Sequence, residues 1–489
     1  MRKLYLERVR KDMQSTKTKE GGNDMKTKIL AFEIVSLVLL LVVNVFAQQA
    51  GQDSNALARF QNELRQDGLD VSNGKVDVWN LAADWCANTP GVDSAIYFNN
   101  EPYLQFKVPK SAQEAGQLNA VFQMREDEAV VVIGLTPPPA RYFSYTPFLS
   151  SKVYPDGRRQ ILATLGDTVN NATVKTIGDT PFNAPVVLIF TPDQGTDARI
   201  RMALHRAGYP AAIINTLVFP ASMLNLGYGD TSDELRIVPR AAIWDVPAAG
   251  VAYMKNPPLT VFRVTPRTQA TANPFPAPQL RIRGTGHTEM GLMNKLGELR
   301  QNIIDANPGM APTDVMVTPT LYEGYDYIQR GVDPWGDGRD CFYVSAAYAP
   351  EMGTNEEVRL ADGEFLVIYG PNHVATGKAT YMNINVYASE TAKLSIGSLD
   401  DRDFPNSASI YIPGDPAADL MFAYKVSRSC GKDELNCLPL SADNCPRLTI
   451  DASTLLGIGI RTYLEPATKV GPAMPEMLYD RILKFSPRP

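Results

Sequence analysis

The sequence predicts an α+β fold: two homologous β-rich domains from an internal duplication, with antiparallel sheets, each domain carrying an N-terminal helix and a second packed helix. Three observations carry that expectation. Short motifs recur in the same order along the chain at similar offsets. Each set opens on an amphipathic helical pattern and continues in Val, Ile, Tyr and Phe runs broken by Gly and Pro. And 489 residues exceed what one hydrophobic core usually supports.

The first element is a leader. MKTKIL from Met25, an apolar run from Ile34 to Val43 and Val45-Phe46-Ala47 give the basic, apolar and small-residue order of a signal peptide. Residues 1–47, with an upstream extension before Met25, are therefore expected to be removed after Ala47. The apolar run is short for a spanning helix. The mature chain is expected to be secreted or periplasmic, with no stable membrane insertion.

The first copy is expected over residues 53–267. Leu57, Phe60 and Leu64 fall at helical spacing, with Asp53 or Ser54 as N-cap. The strand EAVVVIG (Glu128 to Gly134) follows, then ARYFSYTPF and VVLIFTPDQGTDARIRMALHR. In the last of these Ile200, Ala203, Leu204 and Ala207 line one face of a second helix, with Gly208 as its stop. RAAIWDVP (Arg240 to Pro247) comes near the end. Residues 268–287 form a Pro-rich linker containing TQATANPFPAPQ.

The second copy is expected over residues 288–489. NELRQDGLDVSNG (from Asn62) recurs as GELRQNIIDANPG (from Gly297), placing Leu292, Leu296, Leu299 and Ile303 on a helix capped by Thr288. EAVVVIG recurs as EFLVIYG (Glu364 to Gly370), and Gly91-Val92-Asp93 as Gly331-Val332-Asp333. ARYFSYTPF recurs loosely as ATYMNINVY, and RAAIWDVP as RTYLEP from Arg461. The second-helix segment is matched to the stretch ending at Arg428, with Asp193 and Asp197 on Asp415 and Asp419. Residues kept in both copies, such as Arg240 and Arg461, read as scaffold, and chemistry is expected where the copies differ.

Composition excludes one class of partner. Taking the leader's nine basic and five acidic residues from 47 and 53 leaves a net charge of about −10 with no Lys/Arg run, which disfavours nucleic acid. Oligomeric state is not readable from the sequence.

The copies differ most after EFLVIYG. Copy one has Leu135-Thr136-Pro137-Pro138-Pro139; copy two has Pro371-Asn372-His373-Val374-Ala375-Thr376-Gly377-Lys378, which offers an amide, an imidazole and an amine in an exposed loop. A secreted hydrolase would use His373 as general base with Asp340 or Asp337. His205 reads as a helix-surface residue and His287 as part of the linker. No metal site is expected from the histidines, and no cofactor, although Asp333, Asp337 and Asp340 of DPWGDGRD could hold calcium. Tyr322, Tyr325, Tyr327 and Trp335 with Asn372 and Lys378 suit a small or oligomeric, saccharide-like ligand in domain 2 or the cleft between domains. A structural cell-surface or matrix role is the third reading.

The second-helix alignment makes Gly431 to Asn444 an insert whose ends, Cys430 and Cys445, meet in a disulfide. The rival pairings are Cys430 with Cys437 and Cys437 with Cys445.

Overall fold

The computed structural model describes residues 54–89, 103–114, 116–320, 322–349, 354–389, 393–432, 434–442 and 445–488. The leader, Asp53 and Gly91-Val92-Asp93 lie outside them. The protein is mixed α+β, mostly sheet with few helices. The described residues form two compact units: 54–67 with Met202–Tyr209, and those of Gly68–Arg201 with those from Pro210 onward. Both halves of the sequence fall mainly in the larger unit.

In the small unit residues 54–66 form the expected opening helix, with Phe60 and Leu64 buried. Phe60 meets Tyr209 edge to face, and Arg206 pairs with Glu63 and Asp67.

In the large unit each half builds a five-stranded sheet in one and the same order. In the first half the order is Leu69–Asn73, Leu259–Pro266, Ala129–Leu135, Pro185–Thr191, Ile214–Val218. In the second it is Met310–Val315, Arg481–Pro487, Phe365–Pro371, Met421–Ser427, Cys437–Pro439. All neighbours are antiparallel except the last pair, which is parallel in both. Runs such as Val186 to Phe190 are wholly buried, because both faces of such a sheet are covered.

Gly134 and Gly370 occupy matching places in these sheets. A Cβ on Gly134 would lie 2.0 Å from the Pro258 carbonyl, and one on Gly370 2.9 Å from the Asp480 Cα, each at the residue just before the last strand of its half. Only glycine allows that approach.

A second layer of strands packs against these sheets. In the first half Glu234–Trp244, Ala140–Tyr154 and Gly157–Thr164 pair in order, beside a separate sheet of Lys75–Trp79, Tyr103–Pro109 and Leu118–Asn119. In the second half Val317–Pro319, Cys341–Ala349, Leu456–Tyr463, Tyr381–Ala388 and Leu394–Asp400 form one sheet. Along Ala140–Tyr154, Phe143, Tyr145 and Leu149 enter the core and the alternate residues face the other way, as the period of a strand requires.

The second expected helix forms only in the first half. Gln194–Ala207 buries Ile200, Ala203, Leu204 and Ala207, opens on Asp193, whose Oδ1 accepts from Thr196 N at 2.6 Å, and ends at Gly208 with φ 96°. It connects two parallel strands. In the second half the matched residues form a 3-10 turn, Pro416–Leu420, and then the strand Met421–Ser427, so Asp197 and Asp419 lie on different elements. The strand that corresponds to Pro185–Thr191 is Met421–Ser427, and among the described residues no helix joins it to Cys437–Pro439. Both stretches are buried apolar runs, and two matching aspartates were too little to fix their register.

The expected Cys430–Cys445 disulfide rested on that register and does not form. Cys430 pairs with Cys437, closing the short connection that replaces the crossover helix, with Cα atoms 5.9 Å apart. Cys445 pairs with Cys86, 359 residues away in the first half. Cys341 is free and buried.

Each half lends a short helix to the other. Trp85, on Leu81–Cys86, is buried in the core of the second half, under the guanidinium of Arg447 at 4.4 Å and beside the Cys86–Cys445 bond. Tyr327 and Ile328, on Tyr325–Arg330, are buried in the core of the first half. In sequence each helix stands between the first two strands of its half's second layer.

Candidate functional site

Between the second layers of the two halves lies a cavity of about 500 Å³. Its walls follow the strand period. Tyr142, Ser144, Thr146, Phe148 and Ser150 alternate along one strand, and Arg236, Val238 and Arg240 along its neighbour. The second half contributes Tyr343 and Ser345 from one strand, and Gly457, Gly459, Arg461 and Tyr463 from the next. Trp79, Tyr103, Tyr387 and Trp335 add aromatic faces.

Arg240 and Arg461 come from matching strands. Arg240 stands opposite Ser144 in its ladder, and Arg461 opposite Asn383 and Tyr343 in its own. Three residues on in each case, Ile243 (φ 56°) and Leu464 (φ 49°) take the left-handed conformation, which is strained for such side chains.

The guanidinium of Arg240 lies 4.5 Å from the ring centroid of Tyr463, within reach of Tyr103 and Tyr142, and donates to the Tyr463 hydroxyl. Arg461 donates to the Tyr387 hydroxyl at 2.7 Å. Arg236 lies 4.3 Å over Trp79, and burial pulls its guanidinium down to about 10. Among the described residues no carboxylate pairs with Arg236 or Arg240. Arg236 Nε and Arg240 Nη2 are shut from solvent without a hydrogen-bond partner. Cation–π contacts offset part of the desolvation of these charges, but they do not saturate the N–H groups.

The carboxyls at this cavity are turned to the backbone. Asp333 Oδ1 accepts from Leu162 N at 3.0 Å and Trp335 N at 2.8 Å. Asp337 Oδ1 accepts from Thr164 N at 3.1 Å, and burial pushes its carboxyl up to about 7. Behind the wall Asp340 accepts from Tyr142 Oη and Asn170 Nδ2, each at 2.9 Å, and from Thr168. The DPWGDGRD segment therefore staples the second half to the strand Gly157–Thr164 and its neighbours. Asp333, Asp337 and Asp340, the residues of the calcium expectation, thus hold separate protein partners here. Among the described residues the one His, Cys, Asp and Glu group close enough for an ion is Cys430, Glu434 and Cys437, and both of its sulfurs are in a disulfide.

His373 is not an exposed base. Its ring is buried, with Nδ1 2.8 Å from Glu289 Oε1 and Nε2 3.4 Å from Asp480 Oδ2. Burial alone would lower its pKa, but the two carboxylates push it up to about 10, so both nitrogens carry protons at neutral pH. The expected partners Asp340 and Asp337 are engaged elsewhere. Asn372 Oδ1 closes the turn by accepting from Val374 N and Ala375 N, and Lys378 is buried between Glu465 and Glu476. Thr376 donates to Glu289, and Thr285 N and Gly286 N donate to Glu476. Pro371 to Lys378 thus anchors the end of the linker.

The aromatic group divides. Tyr327 and Trp335 line the cavity; Tyr322 packs under Arg330, and Tyr325 donates to the Pro278 carbonyl at 3.2 Å. The arginines were missed because retention in both halves reads as scaffold. The readable signal was two arginines, Arg236 and Arg240, on one face of a mainly apolar strand that opens on Glu234.

No family model and no curated protein matches this chain. Among solved structures it is similar to the VPA0106 protein of Vibrio parahaemolyticus, at 12% identity and TM-score 0.36, covering 83% of this chain and 96% of that one. It is also similar to an uncharacterised protein from Burkholderia cenocepacia, at 11% identity and TM-score 0.36, covering 88% of each chain. Likenesses of this size carry no functional argument.

Proposed function

We propose that this is an exported binding protein made of two copies of one α+β unit, and that its ligand site is the cavity between them. Duplication is supported by the matching strand orders and by a repeated contact. Glu128 meets Arg263 and Thr265 in the first half, while Glu364 meets Lys484 and Ser486 at the corresponding positions of the second. Export is supported by the two disulfides and the leader pattern. No helix among the described residues is long and apolar enough to cross a membrane.

The observation that carries the binding role is the cavity of about 500 Å³, whose aromatic walls and interspersed hydroxyls come from both halves. Such a lining suits an amphipathic molecule, a sugar ring included, because stacking and hydrogen bonding act together. A purely structural pairing would be served by a filled interface. Hydrolysis centred on His373 has no support in the geometry, since the imidazolium lacks a free lone pair.

Calorimetric titration of small aromatic and sugar probes against wild type and Ser345→Phe tests the reading. The added ring narrows the cavity, so probes that bind wild type should weaken by about tenfold or more, with little change in Tm. Binding that ignores this substitution would place the site elsewhere.

A further inference from the structure

We infer that the ligand of this cavity is a small organic anion, a carboxylate on a flat or ring-shaped body, held by Arg240 and Arg461 with Arg236 as a third cation. The inference rests on the cavity being the binding site and adds the charge class.

Three cations line one cavity: Arg236, Arg240 and Arg461. The carboxyls that share it, Asp333 and Asp337, spend acceptor positions on Leu162, Trp335 and Thr164 N–H groups, and neither forms an ion pair with these arginines among the described residues. Burial and the like charge of Arg461 work against the charge on Arg240, while Tyr103, Tyr381 and Tyr142 raise its guanidinium above the usual value on balance. Like charges in a poorly hydrated space destabilise each other, and an anion between them reverses the sign of that interaction. The partnerless Arg236 Nε and Arg240 Nη2 supply donors that remain to be satisfied. A guanidinium presents its N–H groups as a planar fork, which matches a carboxylate.

The body of the ligand follows from the rest of the wall. Tyr103, Tyr142 and Tyr463 surround Arg240, and Trp79 lies under Arg236, so flat faces flank the charged groups on both sides. Inorganic phosphate or sulfate would leave most of the cavity empty. A ring-bearing carboxylate fills both its polar and its aromatic parts.

Matched probe pairs test this with the full mature chain: 2-naphthoate against 2-naphthamide, and galacturonate against galactose, by calorimetry at neutral pH. In at least one pair the anion should bind wild type about 10- to 100-fold tighter than its neutral partner. Arg240→Met and Arg461→Met should bring that ratio close to one while neutral binding persists. Should Arg240→Met fail to fold, Arg236→Met provides the same comparison with a smaller loss. Which pair shows the larger ratio tells whether the body is a hydrocarbon plane or a sugar ring. Equal affinity for anion and neutral partner, or a ratio unmoved by the arginine variants, overturns the anion while leaving the cavity as the site. No binding of any probe, with Ser345→Phe equally silent, overturns both.

Discussion

A glutamate precedes the central strand of the five-stranded sheet in each half, and the surroundings of the two differ. Glu128 is wholly buried against Arg263, with Thr265 and Tyr228 donating to its other oxygen. Glu364 is partly exposed against Lys484, a quarter of whose side chain is open to solvent. The first is an internal strut and the second a surface pair. One scaffold position can thus carry very different energies, because the desolvation of an ion pair, and not its presence, sets what is lost when one partner is removed. The connections diverge in the same spirit. A crossover helix joins the parallel strands of the first half, and a disulfide-closed turn joins those of the second.

Several substitutions sharpen or break this contrast. The largest effect should come from what ties the halves together. Cys86→Ser with Cys445→Ser opens a link spanning 359 residues and should destabilise by about 5 kcal/mol in the chain-entropy account. Denaturant unfolding measures it, and a loss under about 1 kcal/mol would mean that the exchanged helices hold without the bond. Next, Arg263→Met leaves Glu128 buried and unpaired and should lose roughly 3–5 kcal/mol, while Lys484→Met should lose less than about 1. Equal losses would erase the comparison of the two glutamates.

A third test is pH. The unfolded imidazole titrates near 6.5, and the folded His373 near 10. Its contribution is therefore complete below about pH 6.5, and it is lost as pH rises towards 10. Stability should fall across that range by up to about 1.4 kcal/mol per pH unit, and His373→Gln should flatten the curve. An unchanged slope in the variant would mean that the histidine is neutral in the fold. The smallest effect belongs to the short bridge. Cys430→Ala with Cys437→Ala should cost about 2 kcal/mol and leave any binding in the cavity intact, since neither residue lines it.

Local pattern made much of the fold legible. Helical spacing located Phe60 and Leu64 and, in the second half, Leu296, Leu299 and Ile303, all of which are buried. The offset that paired Gly134 with Gly370 identified two close approaches of backbone in corresponding sheets. It could not carry the alignment through the segment where one half has a helix and the other a strand, and the disulfide expectation failed there. Tyr327 and Trp335 line the cavity; His373, Lys378 and Asn372 do not, and polar residues in a turn look alike in sequence whether they face solvent or buried carboxylates.

The sequence by itself determined the α+β class, the faces of the helices, the strand runs and the glycine register, because these depend on periodicity and backbone sterics within a few residues of chain. Only the tertiary structure decided the Cys86–Cys445 link, the exchange of the two short helices, the partners of His373, and the meeting of Arg240 with Arg461 across one cavity. Comparing one half with the other finds what each repeats internally. Contacts across the two halves join positions that do not correspond, or turn corresponding positions towards each other, and they exist only once both sheets are folded and packed.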